Sequence, residues 1–292
     1  GDDSDSVTAG YGNTTTLAYA ITRAVSLGAT VINISAAACG TTGSPVDDDL
    51  LGRAVRAAYQ RNVVVVAAAG NADKDRCPQN PGVDPNVPRS TEWSRMTTYA
   101  SPAWFSDYVL SVGNVTADDE PASTSLTGPW VSVAAPGENV VSLSSTGSGL
   151  VNRQVIKGAQ SSFNGTSFAA AVVSGVVALV RAEHPTMSAG EVIELIKRTA
   201  HTGGRGPDMA TGYGLVDPIA AVDPDQPHAS NTLLQKQIAG PVPPDRAATR
   251  TRDIALVVGG ISVFLIAAAW ALFTPLRRMR DEKTAYRDID EH

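Results

Sequence analysis

Four consecutive residues, Asn164-Gly165-Thr166-Ser167, lead directly into the small, apolar run FAAAVVSGVVALV. A serine at that junction sits where a loop becomes the first turn of a buried helix. The N–H groups of a first turn have no intrahelical partner and carry partial positive charge. They are suited to hold the oxyanion that forms when a serine hydroxyl attacks a carbonyl. Gly165, Thr166 and the alanines that follow leave room for a substrate backbone to come close. Taken alone the segment says little, because most serines before a helix are N-caps and Asn164-Gly165-Thr166 is also a glycosylation sequon.

Two further segments add to it. Ala67-Ala68-Ala69-Gly70-Asn71 ends the apolar run VVVVAAAG, and residues just past a buried parallel strand face the crevice where such sheets bind ligands. The Asn71 amide could donate a second hydrogen bond to the oxyanion, although a turn-forming Asn is the commoner role. The strand VINIS ends at Ser35, and Ser35, Ala36 and Ala37 could form an edge for an extended peptide. Strand addition supplies main-chain affinity, and small side chains leave space for pockets.

The elements that must position these residues alternate. TTTLAYAITRAVSL (14–27) has helical periodicity and stops at Gly28, and ATVINIS (29–35) is a short β-rich run. A helix follows over 47–62 with acidic residues in its first turn, then the apolar strand 63–70. Helix, strand, helix, strand with fully apolar strands predicts an α/β fold, a parallel sheet with helices on both faces. Residues 72–106, rich in Pro and Asn, read as a long surface loop. Short strands are expected at 109–115, 130–136 and 139–145. A buried helix then ends before Pro185, and a helix over 188–200 carries a Ser188–Glu191 capping box. The globular part closes with GYGLVDPIAAV (212–222).

In a chain of 292 residues with 43% hydrophobic and 18% charged residues, the composition is that of an ordinary globular protein. The net charge of −6 gives no support for a nucleic-acid partner. Asp47, Asp48 and Asp49 read as a solvated helix start, so no cofactor is implied and a structural calcium has no support. Cys39 and Cys77 could be two buried thiols or a disulfide between exported loops. Their turn-rich surroundings favour the disulfide, which would contribute about 4 kcal/mol for a loop of that length.

In combination, VINIS, AAAGN, APG, NGTS and GYGLVD resemble the subtilisin-like serine proteases over roughly residues 14–222. The resemblance implies that Ser167 is the nucleophile and Asn71 the oxyanion donor. It also implies that Ser35, Ala36, Ala37, Ala69, Gly70, Gly165 and Thr166 lie along the substrate cleft. Two features depart from the family pattern: Phe168 and Ala169–Ala171 follow the serine where Met and Ser-Pro-His are usual, and Ala36 to Cys39 stand where Leu-Gly-Gly is usual. These leave the catalytic logic intact and change the subsites. In the family, Asp and His precede the serine, yet no histidine precedes Ser167. His184 lies about 25 Å away at the far end of the helix. The sequence opens on GDDSDSVTAGYG without a Met, so an interior cut is expected, with the Asp and His supplied by a missing N-terminal segment.

After residue 222 the composition shifts. Residues 223–253 form a Pro-rich linker. Ile254–Phe273 is a run of twenty uncharged residues, the length of a bilayer core, and predicts a C-terminal transmembrane helix over 254–276. Basic residues flank it on both sides and favour a cytoplasmic tail over 277–292, with the peptidase domain outside. A subtilase with such a linker and anchor resembles the mycosins, exported, disulfide-bearing proteases of type VII secretion in the mycobacterial cell envelope. That resemblance implies three partners: a peptide or protein substrate, the type VII secretion membrane complex and the lipid bilayer. A second role remains open, that of a complex-stabilising subunit whose protease fold is mainly structural.

Overall fold

The structure, a computed structural model, describes residues 13–82, 89–145, 147–156, 158–202, 207–224 and Leu265. The linker, the expected transmembrane helix apart from Leu265 and the cytoplasmic tail lie outside the described residues, as does the N-terminal start. The chain divides into two compact units, 1–228 and 229–292, and the description concerns the first.

The first unit is built on a four-stranded parallel sheet in the order β1 (Val31–Ile34), β3 (Val64–Ala68), β5 (Val109–Val115), β6 (Val133–Pro136). β3 is fully buried, and its side chains alternate between two cores, as the period of two in a strand requires. Val64, Val66 and Ala68 face one cluster, which includes α4 (Thr166–Glu183) and α5 (Ala189–Thr199). Val65 and Ala67 face the other, built with α1 (Thr14–Ser26) and α2 (Asp49–Gln60). Helices therefore cover both faces, as the apolar strands predict. α1 starts from an Asn13–Thr16 capping box, and α5 from the Ser188–Glu191 box expected from the sequence.

Among the described residues, α4 is the one helix both long and apolar enough to cross a membrane. Its buried Ala169, Ala170, Val173, Val176, Val177 and Val180 pack on the sheet, so it is a core helix.

Three expectations need correction. Residues 72–106 are not simply a surface loop. They contain α3 (Arg89–Glu92) and β4 (Thr98–Ser101), which pairs antiparallel with β2 (Ala38–Thr41). Asn80, Glu92, Ala100 and Ala103 are buried there, and Asn80 is satisfied inside because its amide bridges the carbonyls of Thr98 and Thr127. The strand expected over 139–145 is reduced to β7 (Ser142–Leu143), outside the main sheet and paired with β8 (Leu150–Val151). A second hairpin follows, β9 (Arg153–Ile156) with β10 (Ala159–Ser162). Finally, Asp48 is not solvated: it is 7% exposed and accepts the Trp104 Nε1–H at 2.8 Å. The unit closes with α6 (Pro218–Val222), capped by the Asp217 carboxylate.

Candidate active site

The site forms at the carboxyl ends of β1 and β3, where the N-terminus of α4 arrives. Past Ala68, Gly70 turns the chain with φ +112°, and a Cβ there would press on Ala100 and Leu126 at 3.0 Å. Only glycine takes this turn without strain. The next residues are pinned on both sides, by Leu126 N–H to Gly70 O at 2.9 Å and by Ala72 N–H to Thr124 O at 2.8 Å. Asn71 is thus carried on fixed backbone.

The Asn71 Oδ1 accepts the Thr166 N–H and the Thr166 hydroxyl, each at 3.0 Å. A backbone N–H can only donate, which assigns the acceptor end of the amide and leaves the Nδ2 hydrogens to donate elsewhere. Gly165, at φ +140°, precedes α4, and a Cβ on it would lie 3.1 Å from Asn71 Nδ2. Its own N–H is held by Gly137 O at 2.9 Å.

Ser167 is the second residue of α4 and is half-buried. Its Oγ donates to Ser35 O at 2.9 Å, and Ser35 Oγ donates to Ser167 O at 2.7 Å. The Ser167 N–H belongs to the first helical turn, whose donors lack intrahelical acceptors. A carbonyl carbon placed against Ser167 Oγ would therefore have that N–H and the Asn71 amide as donors for its oxygen.

Ser167, Asn71, Ala37, Ala68 and Gly70 line a cavity of about 410 Å³, within the range of ligand sites. Cys39 and Cys77 form part of its wall and are joined as a disulfide, which decides between the two readings of the cysteines. On the far side of the Ala36–Ala38 segment lies a second, more apolar cavity of about 650 Å³, bounded by Leu17, Leu51 and Ser101.

The predicted residues are brought together with one exception. Ser35, Ala36 and Ala37 are exposed, Ala37 lines both cavities and Ala36 the second, and Thr166 is buried in the first cavity's wall. Ala69 is instead fully buried beside Trp130, whose Nε1–H donates to the Ala69 carbonyl at 3.1 Å. Just past the end of β3, Ala69 packs into the Trp130 cluster while Ala68 and Gly70 border the cavity. Asp73 and Arg76, which also line it, were not anticipated. The signal lay in the cysteines: a bridge to Cys77 folds residues 72–76 back beside Asn71. The Arg76 and Asp75 N–H groups donate to the Asp73 carboxylate and hold its pKa below the usual carboxylate range.

The two described histidines are engaged elsewhere. His184, at the C-terminal end of α4, contacts Val222 O through Nε2 at 3.0 Å, and His201 Nε2 meets Asp217 Oδ2 at 2.6 Å. Neither lines the cavity beside Ser167. Among the described residues, the Ser167 hydroxyl faces a carbonyl and no base.

A parallel sheet with helices on both faces, an Asn-Gly-Thr-Ser helix start and an Asn at the neighbouring strand end define a subtilisin-like α/β protein. The chain belongs to the subtilase family, peptidase S8, whose pattern it matches over residues 6–214. It is 41% identical to Mycosin-5 of Mycobacterium tuberculosis, an alignment covering 97% of this chain and 50% of that protein. To Mycosin-2 of the same organism it is 43% identical, over 92% of this chain and 50% of the relative. The chain thus spans about half the length of these curated relatives. Among solved structures it resembles MycP1 from Mycobacterium smegmatis, with TM-score 0.68 and 41% identity over 72% of this chain and 54% of that one. It also resembles a chain of the periplasmic assembly from the ESX-5 inner membrane complex, with TM-score 0.68 and 44% identity, covering 78% and 56%.

Proposed function

We propose that this chain is the C-terminal part of a mycosin-like serine endopeptidase acting in type VII secretion, with Ser167 as nucleophile and Asn71 as oxyanion donor. The observation that carries this reading is the pairing of Asn71 Oδ1 with Thr166, which frees the amide hydrogens beside Ser167 at the mouth of a cavity. A peptide would lie along Ser35–Ala37, with side chains entering the cavities on either side. In the attack, Ser167 Oγ bonds to the scissile carbonyl carbon, its proton passes to an imidazole, and that proton then goes to the leaving amine.

The imidazole and the carboxylate that orients it come from an N-terminal segment outside this chain. Two features support a docking place for it. β1 is an edge of the described sheet, and its Val31 and Ile32 are only half-buried. α4 also exposes Val172 at 42% and Leu179 at 56%. A strand added to β1 would satisfy its free edge and cover apolar surface.

The protein is anchored by Ile254–Phe273, with the peptidase domain outside the cytoplasm and the tail after Arg280 inside. Protease added to intact cells should spare an epitope on the tail, and digestion of the tail with protection of the domain would reverse the topology.

A second reading is favoured by one observation. A structural relative is a component of an inner membrane complex. A complex-stabilising role is compatible with catalysis, and Ser167→Ala separates them by removing hydrolysis while leaving assembly intact.

The decisive experiment is labelling of Ser167 by an active-site phosphonate. The present chain should remain unlabelled, and adding the preceding segment, covalently or as a separate chain, should restore labelling. Rapid labelling of the chain alone would remove the need for an outside base.

A further inference from the structure

Ser167 is held from behind by hydrogen bonds that begin two turns further along its own helix and cross to β1 and back. The Ser174 hydroxyl lies 3.1 Å from Asn33 Oδ1 and 2.8 Å from Ala170 O. The Asn33 Nδ2–H donates to Ser35 Oγ at 2.9 Å, and Ser35 Oγ donates to Ser167 O at 2.7 Å. The Ser167 hydroxyl closes the loop by donating to Ser35 O at 2.9 Å. The Ser174 hydroxyl has a single proton to share between Ala170 O and Asn33 Oδ1, so the first link is the weakest. The amide of Asn33 accepts at one end and donates at the other, and Ser35 Oγ accepts from Asn33 before donating onward. The Ser167 carbonyl has two lone pairs, so it can serve both its helix and Ser35. Bonds linked in this sense strengthen one another.

Asn33 is an unexpected residue for its place. Asn is depleted in strands, and its neighbours in VINI are otherwise apolar. Asn33 is exposed, and a fourth β-branched residue there would have the higher strand propensity. What only an amide supplies here is an acceptor towards α4 and a donor towards Ser35. Asp would keep the acceptor and lose the donor, and Leu would lose both.

We infer that Asn33 is a positioning residue: it ties the substrate-binding segment at Ser35 to the nucleophile helix, so that peptide backbone and Ser167 are held in one frame. The inference rests on the peptidase reading above. It matters to catalysis because misplacing a reacting group by about 1 Å can cost about a hundredfold in rate.

The test uses the full-length protein, with Asn33→Leu, Asn33→Asp, Ser35→Ala, Ser35→Thr and Ser174→Ala. Phosphonate labelling of Ser167, kcat and KM on a peptide substrate, and hydrogen exchange at the amides of 166–168 are measured on each. Asn33→Leu, Asn33→Asp and Ser35→Ala should each lower kcat and the labelling rate about tenfold. KM should stay within about twofold, since the main-chain strand edge remains. Ser35→Thr keeps the hydroxyl and should retain most of the rate. Ser174→Ala, which removes only the first donor, should give a smaller loss in the same direction, and it carries the test if the Asn33 variants fail to fold. Exchange at 166–168 should quicken in Asn33→Leu, a readout that needs no catalysis. If wild type is not labelled, the peptidase reading fails, and the exchange data still decide the positioning role. Unchanged labelling and unchanged exchange in Asn33→Leu would overturn it. So would a rate loss in Ser35→Thr equal to that in Ser35→Ala.

Discussion

Asn71 and Thr166 meet across 95 residues of sequence, with one side-chain oxygen taking both the N–H and the hydroxyl of Thr166 at 3.0 Å. The contact fixes which end of the Asn71 amide faces the cavity and ties the end of β3 to the start of α4. If the freed amide hydrogens bind the oxyanion, Asn71→Ala should lower kcat by about 10²–10³ with little change in KM. A loss under threefold in folded protein would take Asn71 out of the mechanism.

Gly165 should be as sensitive as Asn71, because its backbone conformation keeps the Asn71 amide in place. Its φ of +140° is unfavourable for any L side chain, and its Cβ would meet Asn71 Nδ2 at 3.1 Å. Gly165→Ala should therefore depress kcat more than it depresses stability. Parallel kinetic and thermal-melting measurements check this, and equal kcat in both proteins would show that the amide has room to move.

The disulfide should affect stability and binding together. It closes a separation of 38 residues, for which the chain-entropy model gives about 4 kcal/mol. Both of its cysteines also line the cavity beside Ser167. The Cys39→Ala/Cys77→Ala double variant should melt earlier and show a raised KM at temperatures where it is still folded. A KM unchanged under those conditions would confine the bridge to stability.

Glu191 should give a pH-dependent contribution with a defined sign. The Ser188 N–H, and then its hydroxyl, donate to the Glu191 carboxylate and hold its pKa below the usual carboxylate range. A depressed folded pKa means the stabilisation is present above the unfolded value, about 4.3, and is lost as pH falls through the folded one. Glu191→Gln should lower Tm at pH 7, and the gap should narrow as pH falls below the unfolded value and the folded carboxylate becomes protonated. A gap that does not narrow over the acid range in which the protein stays folded would show that the charge is not what matters there.

The fold was largely legible because its signals are local. β5 lies where VLSVGNV placed it, and the Ser188–Glu191 box forms as the spacing implied. The site was legible as far as single segments carry it: NGTS announces a helix start and AAAGN a strand end. Local pattern does not convey which way a side chain faces past the end of a strand, and the burial of Ala69 was not visible in it. Nor does it convey long-range satisfaction of polar groups. Asn80 and Asp48 look like surface residues until the carbonyls of Thr98 and Thr127, and the Trp104 indole, are brought to them. The Asn33–Ser35–Ser167 chain spans more than 130 residues and was invisible for the same reason.

The position of β1 at the edge of the described sheet has a practical consequence for handling the protein. An edge strand flanked by half-buried Val31 and Ile32 is a template for another strand. Produced by itself, this chain would offer that template to neighbouring copies, and its yield should depend steeply on concentration. Co-expression with the preceding segment should relieve the self-association before any question of activity arises.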